Sequence, residues 1–342
     1  MTPAPRILFF ADAGAGVGGG HVMRCLTLAD ALGRSGAVCA FAATPAASAV
    51  LDAFAGEAVE RLAIPAGEPG ACVAAAAQQA LAWRAHAAVL DHYGAGLDEE
   101  AALRAAVSRL LVIDDLRRPH LCDLALDSNL GRAAADYPGL DALCGPAFAL
   151  VRPAFAALRA DSLARRARGG EVARILVSLG LTDLGGVTAR VVRALLPQLG
   201  ERALDVVVGG AAASLPLLRR LAERDRRLDL YVDTPDMAQL TARADLAIGA
   251  GGSSVWERCC LGLPTLTVVL ADNQRANSEA LVAAGAAAMV DATAADFDAH
   301  LAEACVRLIG DGGLRRRLSA ASAALCDGLG AERVAARVLG MI

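Results

Sequence analysis

Short apolar runs alternate along the chain with longer stretches in which apolar residues recur every three or four positions. The runs at 7–11, 37–43, 58–64, 87–90 and 110–113 have the length and continuity of strands buried on both faces of a parallel sheet. Between them lie helical patterns, such as Val22, Cys25, Leu26, Ala29 and Leu32, and an alanine-rich stretch at 71–85. The alternation weakens over 148–170, which is arginine-rich and short of strand signals. It then restarts with strands at 174–178, 204–208, 228–232, 246–248 and 265–270 and with helices reaching 199 and covering 215–223 and 237–243. Such alternation predicts α/β architecture with two doubly wound, Rossmann-like domains. The expected boundaries are 1–152 for the first domain, 153–172 for a linker, 173–325 for the second domain and 326–342 for a C-terminal helix. The segment 296–339 is expected to be mostly helical and to pack across both domains.

Several of these strands end in polar groups, and the carboxyl edge of an open α/β sheet is where ligands bind. The first ends at Asp12 and runs into a glycine-rich loop, followed by His21 at the start of a helix. Gly14, Gly16 and Gly19 satisfy G-x-G-x-x-G, but the second strand ends in Thr44 and Pro45 and not in the acidic residue a dinucleotide ribose requires. His21 is either a capping or packing residue at the turn or, kept neutral by the helix N-terminus near the loop mouth, a general base. Arg24, one turn later, either binds a phosphate or pairs with Asp12. Tyr93 follows the strand at 87–90 and either contacts a sugar or closes a turn. Asp114, Asp115, His120, Asp123, Asp127 and Asn129 carry metal-ligand chemistry, but their spacing matches no tight metal site, and strand-end carboxylates commonly cap turns.

The segment from Gly249 to Asn277 is the richest in chemistry. A strand runs into glycines 249 and 251–252, then Ser253 and Ser254, two good helix caps, and Gly262 and Pro264 stop the short helix. A strand feeding such a turn collects unused backbone N–H groups, which suits a phosphate or diphosphate. The next strand delivers Asp272, Asn273, Gln274 and Asn277 to the same edge. A diphosphate site beside hydrogen-bonding amides points to a nucleotide-linked sugar.

Composition narrows the options. The 342-residue chain is long enough for two cores. Its apolar content is 56%, largely alanine, and no run reaches a membrane span. The beginning MTPAPRILFFADAG does not have the form of a signal peptide. Nine cysteines, two of them adjacent in a helix, read as buried thiols of a reducing cytoplasm. Net charge is −4, and the arginines form no stripe, so nucleic acid is not an expected partner. There is no lysine, which excludes Schiff-base chemistry, pyridoxal phosphate attachment and a P-loop lysine. Neither a cofactor nor a metal is expected.

Motifs across most of the chain resemble, in order, the PseG family, the UDP-2,4-diacetamido-2,4,6-trideoxy-β-L-altropyranose hydrolases of pseudaminic acid biosynthesis. This family is related to the MurG glycosyltransferases. The blocks are GGGHVMRCLTLADAL at 18–32, DHYG at 91–94, VIDDL at 112–116 and HLCDLALDSNL at 120–130. In the second half they are DMAQLTARADLAIGAGGSSVWERCCLGLPTL and ADNQ, within 236–274. The resemblance implies the GT-B fold, in which two Rossmann-like domains face a cleft. It also implies a cytoplasmic monomer that binds a UDP-sugar without a membrane, nucleic-acid or metal partner.

Carried over by resemblance, His21 is the catalytic base that activates water against the anomeric carbon, with C–O cleavage, inversion and loss of UDP. Tyr93 and Asn273 match positions that contact the sugar side, and Asp12, Gly19, Gly20, Arg24, Gln274 and Asn277 are expected to bind substrate. The backbone around Met237 is implied for uracil, Gly251, Gly252, Ser253 and Ser254 for the diphosphate, and Glu257 for the ribose. Glu257 also completes an S-x-x-E capping box with Ser254. One departure from the family is Leu181, where S-x-G-G-x-D would have glycine; a side chain there restricts backbone approach to a ligand and bears on substrate identity. Two other functions fit the same motifs, a MurG-like transferase with an acceptor hydroxyl in place of water, and a nucleotide-sugar binding protein without turnover.

Overall fold

The computed structural model describes residues 3–14, 16–55 and 59–342. The chain forms two compact units, Met1–Leu150 with Leu329–Ile342, and Val151–Gly328. In the first, strands β1 (Arg6–Ala11), β2 (Val38–Ala43), β3 (Glu60–Ala63), β4 (Ala87–Asp91), β5 (Arg109–Ile113), β6 (Leu124–Asp127) and β7 (Ala142–Cys144) form one sheet in the order β3-β2-β1-β4-β5-β6-β7. Every pairing in it is parallel. Because successive side chains point to opposite faces, Ile7 and Phe9 enter the core on one face and Leu8 and Phe10 the core on the other. Helices α1 (Gly20–Arg34), α2 (Pro45–Phe54), α3 (Pro69–Ala82) and α4 (Leu97–Ala106) complete the crossovers. The strand order reverses between β1 and β4, where crossovers diverge to opposite faces and leave a crevice at the strand ends.

The second unit repeats the scheme with β8 (Arg174–Ser178), β9 (Ala203–Val208), β10 (Leu228–Val232), β11 (Leu246–Ala250), β12 (Thr265–Val269) and β13 (Ala288–Asp291), all parallel, in the order β10-β9-β8-β11-β12-β13. Its reversal lies between β8 and β11. The glycine turn that follows β11 therefore lies at this unit's switch point.

The expected strands are present with ends shifted by a residue or so; the strand expected at 58–64 is β3, and Ala58 lies outside the described residues. One expectation is corrected. The segment 153–172 is not an open linker, because Pro153–Ala167 is a fifteen-residue helix, α5, with proline in its first turn. Its arginines are donors to the second unit's own carbonyl groups. Arg166 binds Leu261 O at 2.7 Å, Ala244 O at 2.9 Å and Thr241 O at 3.1 Å, and Arg159 binds Ala323 O at 2.7 Å. Guanidinium groups that satisfy helix-end carbonyls belong to a domain's body. An arginine-rich composition short of strand signals made the segment read as a linker.

The remaining helices of the second unit are α6 (Val187–Leu195), α7 (Leu215–Arg224), α8 (Met237–Arg243), α9 (Ser254–Cys260), α10 (Arg275–Ala283), α11 (Phe297–Gly310) and α12 (Gly312–Leu325). The helical tail at 296–339 divides. Helices α11 and α12 belong to the second unit, and α13 (Gly330–Leu339) packs on α1 in the first, where Arg34 reaches Glu332 at 3.1 Å. All nine cysteines are free. Among the described residues no helix is long and apolar enough to cross a membrane, and no group of three His, Cys, Asp or Glu side chains is placed to hold a metal ion.

Candidate functional site

In the first unit the chemistry gathers where β4 and α1 meet. Asp91, the last residue of β4, is fully buried and receives donors from His21, Arg24 and Cys25 of α1. Its Oδ1 lies 2.7 Å from His21 Nδ1 and 2.6 Å from Arg24 Nη2, and its Oδ2 lies 2.5 Å from Arg24 Nε. His21 and Arg24 are three apart, on one helix face, so both reach the same carboxylate. Arg24 Nη1 continues to Asp115 at 2.9 and 3.0 Å, and Tyr93 donates its hydroxyl to Asp115 at 2.9 Å. The Tyr93 ring stands edge-on to the imidazole, centroids 4.4 Å apart.

Burial by itself would raise the Asp91 pKa, but the Arg24 and His21 charges outweigh it and hold the carboxyl well below the usual range. An ionised carboxylate only accepts, so Nδ1 of His21 carries the proton facing it, and in the neutral imidazole the lone pair is on Nε2. This arrangement differs from the expectation in two respects. His21 is 5% exposed, so it does not stand open at the loop mouth. The second is the partner: the Asp91 carboxylate faces Nδ1, a contact absent from that expectation.

Arg24 is likewise not paired with Asp12, because Asp91 and Asp115 occupy its guanidinium. Asp12 instead has Oδ1 3.6 Å from His92 Nε2. Gly19 is the N-cap of α1 and Gly20 its first residue, and Gly18, at φ 83°, donates its N–H to Gly14 O at 2.7 Å.

The carboxylates considered for a metal separate into different roles. Asp114 and Asp127 both accept from the Tyr137 hydroxyl, at 3.0 and 2.7 Å; Asp123 binds Leu110 N at 2.8 Å, at the opposite strand end. His120 lies between Glu100 (Nδ1 to Oε1, 2.6 Å) and Asp114 (Nε2 to Oδ2, 3.5 Å), with Tyr137 stacked alongside. Burial would lower the His120 pKa, but these two carboxylates push it up to about 9. A histidine whose pKa is higher folded than unfolded stabilises the fold fully below its unfolded value, about 6.5. The contribution is lost as pH rises through about 9. Chemical denaturation at pH 6, 8 and 10 is therefore expected to show stability falling by roughly 2 kcal/mol over that span, and His120→Gln is expected to flatten the dependence.

In the second unit the turn after β11 packs closely on α10. A Cβ at Gly251 would lie 2.5 Å from Ser278 Oγ and 3.1 Å from Gln274 Cβ, so only glycine fits there without displacement. Gln274 accepts from Leu270 N at 3.2 Å, Ser278 donates to Gln274 O at 2.7 Å, and Asn277 is buried beside it. Asn273 lies half-buried in the single turn before α10. Met237 begins α8, and its carbonyl accepts from Thr241 Oγ1 at 2.7 Å.

The capping box expected at Ser254 and Glu257 is absent. Helix α9 begins one residue early, with Ser253 as N-cap and Ser254 already its first residue, so Glu257 is one position too far along to bond back. Its carboxylate is instead held by both arms of Arg152, at 2.7 and 3.1 Å, a partner 105 residues away. Leu181 takes no left-handed conformation; Gly180 (φ 106°) and Asp183 (φ 48°) do. The Leu181 carbonyl accepts from Gly209 N at 3.0 Å, and a Cβ at Gly209 would lie 2.4 Å from that oxygen.

Residues 189–320 match the Glycosyltransferase family 28 C-terminal domain. A solved structure, that of Acinetobacter baumannii MurG, superposes over 98% of this chain and 99% of its own, with TM-score 0.69 at 18% identity. The fold is GT-B. The GT-B chain is 30% identical over 194 residues to the spore coat polysaccharide biosynthesis protein SpsG of Bacillus subtilis (strain 168), a match covering 56% of each protein. It is also 23% identical over 203 residues to the UDP-2,4-diacetamido-2,4,6-trideoxy-beta-L-altropyranose hydrolase of Campylobacter jejuni, a match covering 58% of this chain and 71% of that enzyme. The chain thus spans little more than half the length of the first of these two relatives. The family that its motifs resemble fits these findings.

Proposed function

We propose that this GT-B chain hydrolyses a UDP-linked 2,4-diacetamido-2,4,6-trideoxy sugar. The observation that carries the reading is the buried Asp91–His21 pair, which leaves a basic nitrogen at a sheet switch point. In the proposed step, Nε2 of His21 takes a proton as water attacks the anomeric carbon. The new C–O bond forms with inversion, the bond from that carbon to the diphosphate oxygen breaks, and UDP leaves with the electron pair. The second domain's contribution is nucleotide binding, with backbone N–H groups at Gly252–Ser254, in the turn that Gly251 opens, for the diphosphate and Glu257 for the ribose. The hydrolase relative from Campylobacter jejuni supports the substrate class. Neither a metal nor a cofactor takes part in the step as written, and the enzyme is proposed to work as a cytoplasmic monomer.

The deciding experiment is UDP release from the activated sugar in ¹⁸O-labelled water with no acceptor present. Label on the sugar is the expected result. Label on UDP means attack at phosphorus and overturns the His21 role. The family 28 domain favours a second reading, transfer to an acceptor hydroxyl, for which release without acceptor would be negligible.

Glu257→Gln tests the ribose contact. The substitution is expected to raise KM about tenfold, on the scale of one hydrogen bond to a charged group, with kcat little changed. The same loss of the Arg152 ion pair through Arg152→Met separates pairing from ribose binding. A fall in Tm with unchanged KM in Glu257→Gln would show a purely structural carboxylate.

A further inference from the structure

The glycine turn after β11 lies over a buried cation that the reading above leaves unused. Arg258, four residues into α9, is 4% exposed, and its guanidinium folds back beneath the turn. Nη2 donates to Ala250 O at 2.6 Å and Nη1 to Ser254 Oγ at 3.1 Å, while Nε is buried without a hydrogen-bond partner. The space exists because residue 249 is glycine. A Cβ there would lie 2.5 Å from both Cζ and Nη1 of Arg258.

Among the described residues no carboxylate forms an ion pair with this guanidinium. The adjacent Glu257 is already held by Arg152. Burial, only partly offset by nearby Cys259 and Glu257, lowers the Arg258 pKa to about 10. A buried cation with no counter-charge is costly and is retained where something compensates it. The contacts show what it acts on. Ala250 O, fixed by Arg258, and Gly251 N, which donates to Val268 O at 3.3 Å, are two ends of one peptide plane. The N–H groups of Gly252, Ser253 and Ser254 are left without a protein acceptor among the described residues. Because Ser254 Oγ accepts from Arg258, its own proton points away from the guanidinium.

We infer that Arg258 is a positioning residue for a nucleoside diphosphate: it aims the Ala250–Ser254 turn and the Ser254 hydroxyl at the diphosphate, whose negative charge is the counter-ion its guanidinium lacks. The inference rests on the nucleotide reading above and adds a residue to it. Only the phosphates of the ligand should sense the charge, not the uracil or ribose.

The test is the affinity of the full chain for UDP and for uridine, which shares base and ribose but has no phosphate, in wild type, Arg258→Met and Arg258→Lys, with Tm recorded for each. Arg258→Met is expected to weaken UDP by about 30-fold, the scale of a charge-assisted contact, with uridine changed less than about twofold. Arg258→Lys keeps the charge but cannot hold both acceptors and is expected to lose about fivefold for UDP alone. If Arg258→Met does not fold, the lysine variant carries the test. Equal weakening of UDP and uridine, or unchanged affinity for both, overturns the inference while the nucleotide reading stands. Failure of the wild type to bind UDP overturns that reading and the inference with it.

Discussion

Replacing His21 with alanine is expected to lower kcat for UDP release by about 10³-fold, within the range a positioned general base supplies, with KM changed little. The expectation follows from the pairing. Asp91 engages Nδ1, so the basic function rests on Nε2 alone, and alanine removes it while Arg24 still neutralises the carboxylate. The fold should therefore survive. His21→Asn is the sharper variant, because its amide can still donate to Asp91 but offers no basic nitrogen; the same loss is expected. A kcat within fivefold of wild type in either variant would remove His21 from the chemistry and leave it a packing residue against Tyr93.

The largest stability effect is expected at Asp91. Asp91→Ala leaves the buried Arg24 with Asp115 as its one carboxylate, and removing one partner of a buried pair costs about 3–5 kcal/mol. Asp91→Asn keeps the shape but not the charge. It no longer sets the imidazole tautomer, so a kcat loss of about 10² or more should accompany a smaller loss of stability. The pH sign is opposite to that at His120. The Asp91 carboxyl is held below its unfolded value, so its contribution is present above about pH 4 and is lost as acid protonates it. Acid titration followed by near-UV circular dichroism should show wild type resisting to lower pH than Asp91→Asn. Coincident acid transitions in the two proteins would mean that the pair contributes nothing to stability.

The sequence by itself marked the strands other than β6, β7 and β13, their parallel arrangement and the glycine turns at their ends, because these depend on patterns local to a few residues. Continuous apolar runs mark doubly buried strands, and glycine followed by a cap marks a strand-to-helix turn. It also marked His21 and the segment 249–277 as the places with chemistry. The tertiary structure decided the partners. Asp91 lay in the DHYG block with no role assigned to it, and that Arg24 reaches it across 67 residues, and that Arg152 holds Glu257 across 105, depends on which strands neighbour one another. The same cause explains the errors. The segment 153–172 read as a linker because the acceptors of an arginine such as Arg166 are carbonyls 75 to 95 residues away in sequence. The capping box failed because α9 begins one residue earlier than the S-x-x-E spacing requires, which moves Glu257 out of reach. Local periodicity encodes elements; hydrogen-bond partners and buried charges are properties of the assembled sheet, and only folding brings them within 3 Å of one another.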